Sequence, residues 1–272
     1  MKNSKINNKS RWALVTGGSS GIGYEFARQL SDRGYNLYIV ALNLSELNNA
    51  AENLSLEYKN IVIPVAADLS SNIDVEHLIQ IVQDDSRPVD VLVNNAGFAL
   101  HDSLVGETQS VQKAAFSVMA QTIMDLSGPA AEKMRRRRYG QIINVASTSA
   151  WLYAGNYSAL KRWVIVYSQS LALELESDGV SVTAICPSWV KTNFHSRGGV
   201  DRPDLPSWAW VRIDQVVAAA LDGADRGKTI VVATKRWQII VWFWRHNQWL
   251  ARMVSRRLLA KRLTAHALTK SR

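Results

Sequence analysis

Short runs of continuously apolar residues alternate along this chain with longer stretches whose apolar positions recur every three or four residues. Trp12–Val15, Asn36–Ala41, Ile61–Val65, Val89–Val93, Gln141–Val145, Val180–Ile185 and Ile230–Val232 are rich in Val and Ile and do not alternate with polar residues. Runs of that kind predict strands of a parallel sheet covered on both faces. Between them, Ile22–Arg33, Ser45–Tyr58, Val75–Asp84, about Val111–Arg138, Tyr157–Ser177 and Gln215–Ala224 predict helices. The alternation predicts an α/β fold, a doubly wound parallel sheet of about seven strands with helices on both faces. One segment, 193–213, breaks the order with Gly198, Gly199, Pro203 and Pro206, and is expected to be a lid or binding loop. A last helix is predicted from Trp237 to Leu263, with Leu250, Val254 and Leu258 at i+4 steps and Arg257 and Lys261 encroaching on that stripe. The expected organisation is a disordered end at 1–10, one domain at 11–234, and a C-terminal helical extension at 235–272.

Composition narrows the class. Apolar residues make up 47% and charged residues 20% of the 272, which excludes a disordered or collagen-like chain. The single cysteine, Cys186, excludes an internal disulfide framework and fits a reducing compartment, so a cytoplasmic location is expected. Histidines at 77, 101, 195, 246 and 266 lack ligand spacing, so no metal site is expected. The polar start, Met1 to Ser10, has no apolar run behind it and reads as a frayed end, not a signal peptide. The apolar run Ile239 to Trp244 is far too short to span a bilayer.

Charge changes the picture more. The net charge is +9, but residues 226–272 hold twelve Lys and Arg with no Asp or Glu. The remaining 225 residues, with 20 basic and 23 acidic side chains, carry −3. The extension also carries Trp237, Trp242, Trp244 and Trp249. A basic, Trp-rich, acid-free helix has the composition of an interfacial membrane anchor. It equally fits a helix that docks on its own sheet or on a partner subunit. Nucleic acid finds no support elsewhere on the chain, and the Arg135–Arg138 run reads as a solvated helix cap.

Candidate chemistry begins after the first strand with Thr16-Gly17-Gly18-Ser19-Ser20-Gly21-Ile22-Gly23. Glycines at such a turn allow positive φ and let the backbone approach a pyrophosphate at a helix N-terminus. Further on, Tyr157 and Lys161 stand at i and i+4 and share one helix face. A lysine cation beside a phenol is expected to lower its pKa from about 10, which suits the phenol to proton transfer with a carbonyl or alcohol oxygen. Ser147, just past a strand, could hydrogen-bond the same oxygen.

With Asn94-Asn95-Ala96-Gly97 these segments resemble, in order and spacing from about Arg11 to Val232, the short-chain dehydrogenase/reductases. The resemblance implies one Rossmann-like domain with a seven-stranded sheet, an NAD(H) or NADP(H) cofactor, and oxidoreduction at CH–OH or C=O. It implies Ser147, Tyr157 and Lys161 as catalytic residues, Lys161 also holding the nicotinamide ribose. It implies cofactor contacts at Gly17, Ser19, Ser20, Gly21, Ile22, Gly23, Asp68, Leu69, Asn95, Ala96, Gly97, Pro187 and Thr192. Asp68 would meet adenine and Thr192 the carboxamide. A homo-oligomer is expected as well.

Two departures stand out. Counting from the Asn94–Gly97 motif puts Met119 where the family carries an Asn that supports a proton relay behind the lysine, and a thioether cannot orient such a relay. Ser117, Gln121 or a water would have to substitute. The second strand ends Val40-Ala41-Leu42-Asn43-Leu44-Ser45, with neither the acid that binds an NAD ribose nor an Arg for a 2′-phosphate. Without a carboxylate to repel phosphate, NADP(H) is favoured, and Asn43 or Ser45 could hydrogen-bond either cofactor. Ser188 also replaces the glycine usual between Pro187 and Thr192. Phe194, Leu205, Trp208 and Trp210, with Trp151 and Tyr153, predict a pocket for an apolar, lipid-like or acyl carbonyl substrate. The expected activity is an NAD(P)H-dependent reductase; the alternatives are an NAD-linked alcohol dehydrogenase and a non-catalytic dinucleotide-binding scaffold.

Overall fold

Strands alternate their side chains between two faces, and this chain uses both. In the computed structural model, which describes residues 10–100, 102–191 and 205–270 with side chains to Leu259, β1 is Trp12–Thr16 and β2 is Asn36–Ala41. Strands β3 Val62–Ala66, β4 Val89–Asn94, β5 Gly140–Val145, β6 Val180–Ile185 and β9 Ile230–Val231 complete a parallel sheet of order β3-β2-β1-β4-β5-β6-β9. Ala13, Val15, Leu37, Ile39, Val91 and Val93 lie on one face, under α1 Gly21–Asp32, α2 Leu44–Tyr58 and α7 Ile213–Asp225. Trp12, Leu14, Tyr38, Val40, Leu92 and Ile142 lie on the other, under α3 Asn72–Gln83 and α5 Thr122–Arg137, with α6 Asn156–Glu174 beside them. The doubly wound sheet is as expected. Its order reverses between β1 and β4, which opens a crevice at the carboxyl ends of those strands.

Three boundaries differ from expectation. The single helix predicted over 111–138 is α4 Gln109–Phe116, a π-helical turn Ser117–Gln121 and then α5. Thr122 helps hold that turn, its hydroxyl 2.9 Å from the carbonyls of both Leu69 and Ser117. Such turns accommodate one extra residue and recur at functional sites. The last helix is two, α8 Lys235–His246 and α9 Gln248–Lys270, broken at Asn247. Asn247 keeps the break tight by accepting from the Leu250 amide at 3.1 Å. The irregular segment also ends in order. A helical turn at Ser207–Ala209 leads to β8 Trp210–Val211, which pairs with β7 Trp189–Val190. Thr192, the expected carboxamide contact, and the expected lid up to residue 204, Phe194 included, lie outside the described residues, as do residues 1–9.

The extension is joined to the body. Trp237 and Val241 are buried, and the Trp237 indole donates to the Ala209 carbonyl at 3.2 Å. Ala251 and Ser255 are buried too, and Ser255 Oγ accepts from the Tyr153 amide at 2.8 Å. The docked-helix reading therefore holds for the inner faces of α8 and α9. No helix among the described residues is long and apolar enough to cross a membrane.

Candidate active site

The glycine turn is shaped by close approach. Gly17 and Gly21 have φ of 67° and 58°, the left-handed region that a side chain would strain. A Cβ on Gly23 would stand 2.0 Å from the Gly17 carbonyl oxygen, so only glycine lets α1 begin against the turn. Ser20 sits at the α1 N-cap position without a side-chain bond to the helix, leaving its hydroxyl and the first helix amides for an anion. Ser19 is half-buried in the same turn and Ile22 packs onto the core below it.

The far wall of the crevice is cross-bonded to that turn. Thr16 Oγ1 accepts from the amides of Asn95 at 2.9 Å and Ala96 at 3.0 Å. Asn95 Nδ2 donates back to the Thr16 carbonyl at 2.9 Å and the Gly17 carbonyl at 3.4 Å. The Asn95 side chain thus braces the turn, with its backbone lining the crevice. Behind it, buried Asn94 donates to Asn144 Oδ1 and Ser127 Oγ, and Asn144 donates to Ser168 Oγ at 2.9 Å. That chain ties β4, β5, α5 and α6 together, and no spacing pattern in the sequence signals it.

Other expected cofactor residues are occupied in part. Asn43 caps α2, its Oδ1 accepting from the Glu46 amide at 3.1 Å, which leaves its amide group to donate. Exposed Asp68 accepts from the Ser70 amide and hydroxyl at 2.8 and 2.7 Å and keeps one oxygen outward, while Leu69 is buried beside it. The Pro187 carbonyl accepts from the Thr148 amide at 2.9 Å, holding the segment after β6 against the turn that carries Ser147.

The structure brings Ser147, Tyr157 and Lys161 together. Ser147 follows β5, and Ser147 Oγ accepts from the Ser149 amide at 3.1 Å and the Ser149 hydroxyl at 2.9 Å. Ser149 was not singled out in the sequence, although the Ser-Thr-Ser spacing at the start of a helical turn is its signal. Burial pushes the Tyr157 phenol up to about 12, against the pull of its hydrogen bond with Ser147. Lys161, 3% exposed, lies with Nζ 5.8 Å from the centre of the Tyr157 ring and donates to the Val145 carbonyl at 2.8 Å. Burial brings Lys161 down to about 8. The expected lowering of the phenol by Lys161 is not found: burial is the largest cause at both groups, raising Tyr157 and lowering Lys161.

Met119 is fully buried in the π-helical turn, among Leu100, Ala115, Ala120 and Leu160. Its Sδ would lie 3.1 Å from a Cβ on Gly97, and that point is 3.9 Å from Lys161 Nζ, so the thioether and the ammonium both border Gly97. Gln121 hydrogen-bonds Asp125 instead of turning to Lys161. Trp151 also departs from expectation. It packs with Ile123, Val164 and Val241 in the core, whereas Tyr153 and Trp208 are exposed and Leu205 and Trp210 half-buried. Among the described residues no cluster of His, Cys, Asp or Glu could hold a metal.

A switch-point crevice beside a buried lysine and a protonated tyrosine defines a dinucleotide-dependent oxidoreductase. The glycine cradle, which a single Cβ would fill, fits a pyrophosphate. The family model for short chain dehydrogenases matches residues 11–200, and the chain belongs to that family. It is 33% identical over 193 residues to a putative ketoacyl reductase of Streptomyces coelicolor, covering 67% of this chain and 72% of that one. Among solved structures it resembles a short-chain dehydrogenase from Sphingobium yanoikuyae in complex with NADPH, with a TM-score of 0.78, 29% identity and coverage of 85% and 92%. It also resembles a bulky-bulky ketone specific alcohol dehydrogenase from Comamonas testosteroni, with a TM-score of 0.75, 27% identity and coverage of 86% and 91%. The chain is an NAD(P)-dependent oxidoreductase that acts on carbonyls.

Proposed function

We propose that this enzyme works as a reductase of bulky, apolar carbonyl compounds, that it prefers NADPH, and that it works at a membrane surface as a homo-oligomer. The observation that carries this reading is the placement of Tyr157, hydrogen-bonded to Ser147 and with Lys161 Nζ 5.8 Å from the centre of its ring. The substrate oxygen lies between Ser147 Oγ and the Tyr157 hydroxyl. Ser147, whose oxygen already accepts from Ser149, points its own proton at the developing alkoxide, and Tyr157 gives it a proton. Lys161 holds the ribose and keeps positive charge behind the phenol. The bound dinucleotide supplies the hydride that goes to the carbonyl carbon. Solvent then reprotonates Tyr157, with no amide at Met119 to order the path.

NADPH is supported by the end of β2, where Val40 to Asn43 offers no carboxylate to repel a 2′-phosphate, and by the cofactor bound in the Sphingobium structure. Half-exposed Tyr153, on the segment between Ser147 and Tyr157, and the bulky ketone named for the Comamonas enzyme support the substrate class. Phe116 and Met124 on α4 and α5, with Val166 and Leu173 on α6, are exposed apolar positions that support self-association. The basic extension supports the membrane placement.

The test is a panel of β-ketoacyl thioesters, steroid ketones and small polar ketones, scored by absorbance with NADPH and with NADH. Turnover of the bulky apolar members with a lower KM for NADPH is expected. Preference for NADH or for small polar ketones contradicts the proposal.

A further inference from the structure

Helix α8 is apolar on two opposite sides. Trp237, Val241 and Trp244 face the body, while Ile239, Trp242 and Phe243 face outward and are 58%, 55% and 49% exposed. Trp249, just past the break at Asn247, is 71% exposed and extends the outward set. A surface helix normally turns polar residues outward, and one that is apolar all round is covered on both sides. Beside this face lies a cleft of about 320 Å³ between β9 and α8, walled by Trp151, Lys228, Gln238, Val241, Trp242 and Arg245. It holds two cations and no acid, and among the described residues neither cation forms an ion pair.

From this arrangement we propose that the outward face of α8 and the start of α9 docks on an anionic phospholipid bilayer, with a headgroup phosphate received between Lys228 and Arg245. Charge selects the occupant. Residues 226–272 carry twelve cations and no anion, so a second copy placed face to face would set like charge against like. An anionic leaflet complements the charge and accepts the aromatic side chains at headgroup depth. The helices that carry this face are tied at two points to the segment between Ser147 and Tyr157 and to β8. Arg236 donates to the Trp210 carbonyl at 2.8 Å, and Ser255 accepts from the Tyr153 amide. The bilayer would therefore lie against helices bonded to the segment that leads from Ser147 to Tyr157. This proposal rests on the membrane placement proposed above and names its surface and lipid class.

The test sediments the full chain with phosphatidylcholine vesicles and with vesicles that also contain phosphatidylglycerol. Sedimentation with the anionic vesicles only is expected. A Trp242→Ala/Phe243→Ala double variant should weaken the partition by at least about tenfold, since both side chains leave water on docking. Arg245→Glu should weaken it by about fivefold. NADPH oxidation with a water-soluble ketone should stay unchanged in all three proteins, because none of these residues touches the site. Equal sedimentation of wild type and variants overturns the docking, as does no sedimentation at all. So does a change of oligomeric state in the variants with vesicle binding intact, which would make the face a contact between copies. An inactive wild type that still binds vesicles would sink the reductase reading and leave the docking standing; an active enzyme that ignores anionic vesicles would do the reverse.

Discussion

The crevice and the C-terminal extension handle polarity in opposite ways. In the crevice polar groups are buried and bonded to one another: Thr16 to Asn95, Asn94 to Asn144, Lys161 to the Val145 carbonyl. Burial there shifts proton affinities and fixes directions, as a site that moves a proton and a hydride requires. In the extension the apolar side chains Ile239, Trp242, Phe243 and Trp249 remain outside among cations that form no ion pair with a described residue. The body's surface charges do find partners, such as Arg33 with Asp222 and Asp225, and Lys133 with Asp85. The difference separates what the chemistry needs from what placement needs. Yet the two regions share a core, because Trp237 packs in the same cluster as Phe26 and Ile185.

That shared core gives the sharpest contrast. Trp237→Ala should cost about 3–5 kcal/mol of stability by hollowing the core, whereas Trp242→Ala, four-tenths of a turn away in angle but outward, should stay within about 0.5 kcal/mol. Thermal or urea unfolding of the two variants measures it; equal losses would erase the distinction between the inner and outer faces. Ser147→Ala should lower turnover by roughly a hundredfold or more, about 3 kcal/mol, because the alkoxide loses a fixed donor. Steady-state NADPH oxidation checks this, with cofactor affinity expected to hold. Gly23→Ala should weaken NADPH binding about a hundredfold, since the added Cβ meets the Gly17 carbonyl and α1 must retreat from the turn. Fluorescence titration of NADPH reads it directly.

A pH profile tests the crevice more gently. Lys161, brought down to about 8 by burial, is a cation below that pH and neutral above it. Reduction should therefore fall about tenfold per unit well above pH 8 as the ribose loses its charged partner. The phenol of Tyr157, at about 12, stays protonated throughout and adds no limb of its own. Lys161→Arg, which keeps its charge, should remove the descending limb; a limb that stays would place the titration elsewhere.

Much of this was legible in the residues. Val- and Ile-rich runs marked all seven strands of the main sheet, because a strand buried on both faces has no room for polar alternation. The glycine turn and the Tyr157–Lys161 pair were readable because their chemistry requires fixed residues at fixed spacing. Buried contacts between distant segments were not. Nothing local announces that Asn95 braces Gly17, that Asn43 caps α2, or that Trp151 turns to the core instead of the pocket. The direction of the pKa shifts also escaped, since adjacency of Lys161 and Tyr157 predicts attraction, while the degree of burial that outweighs it depends on the whole fold. Likewise the charge of the extension showed a basic tail, but only packing shows that its inner face belongs to the core.

The most direct test of the account is Tyr157→Phe, measured for NADPH binding and for reduction of a bulky ketone on the same preparation. Removing the phenolic proton while keeping the ring should lower turnover by about a thousandfold and leave the NADPH dissociation constant within about twofold. Undiminished turnover in that variant would contradict the assignment of Tyr157 as the acid, and with it the mechanism built around the crevice.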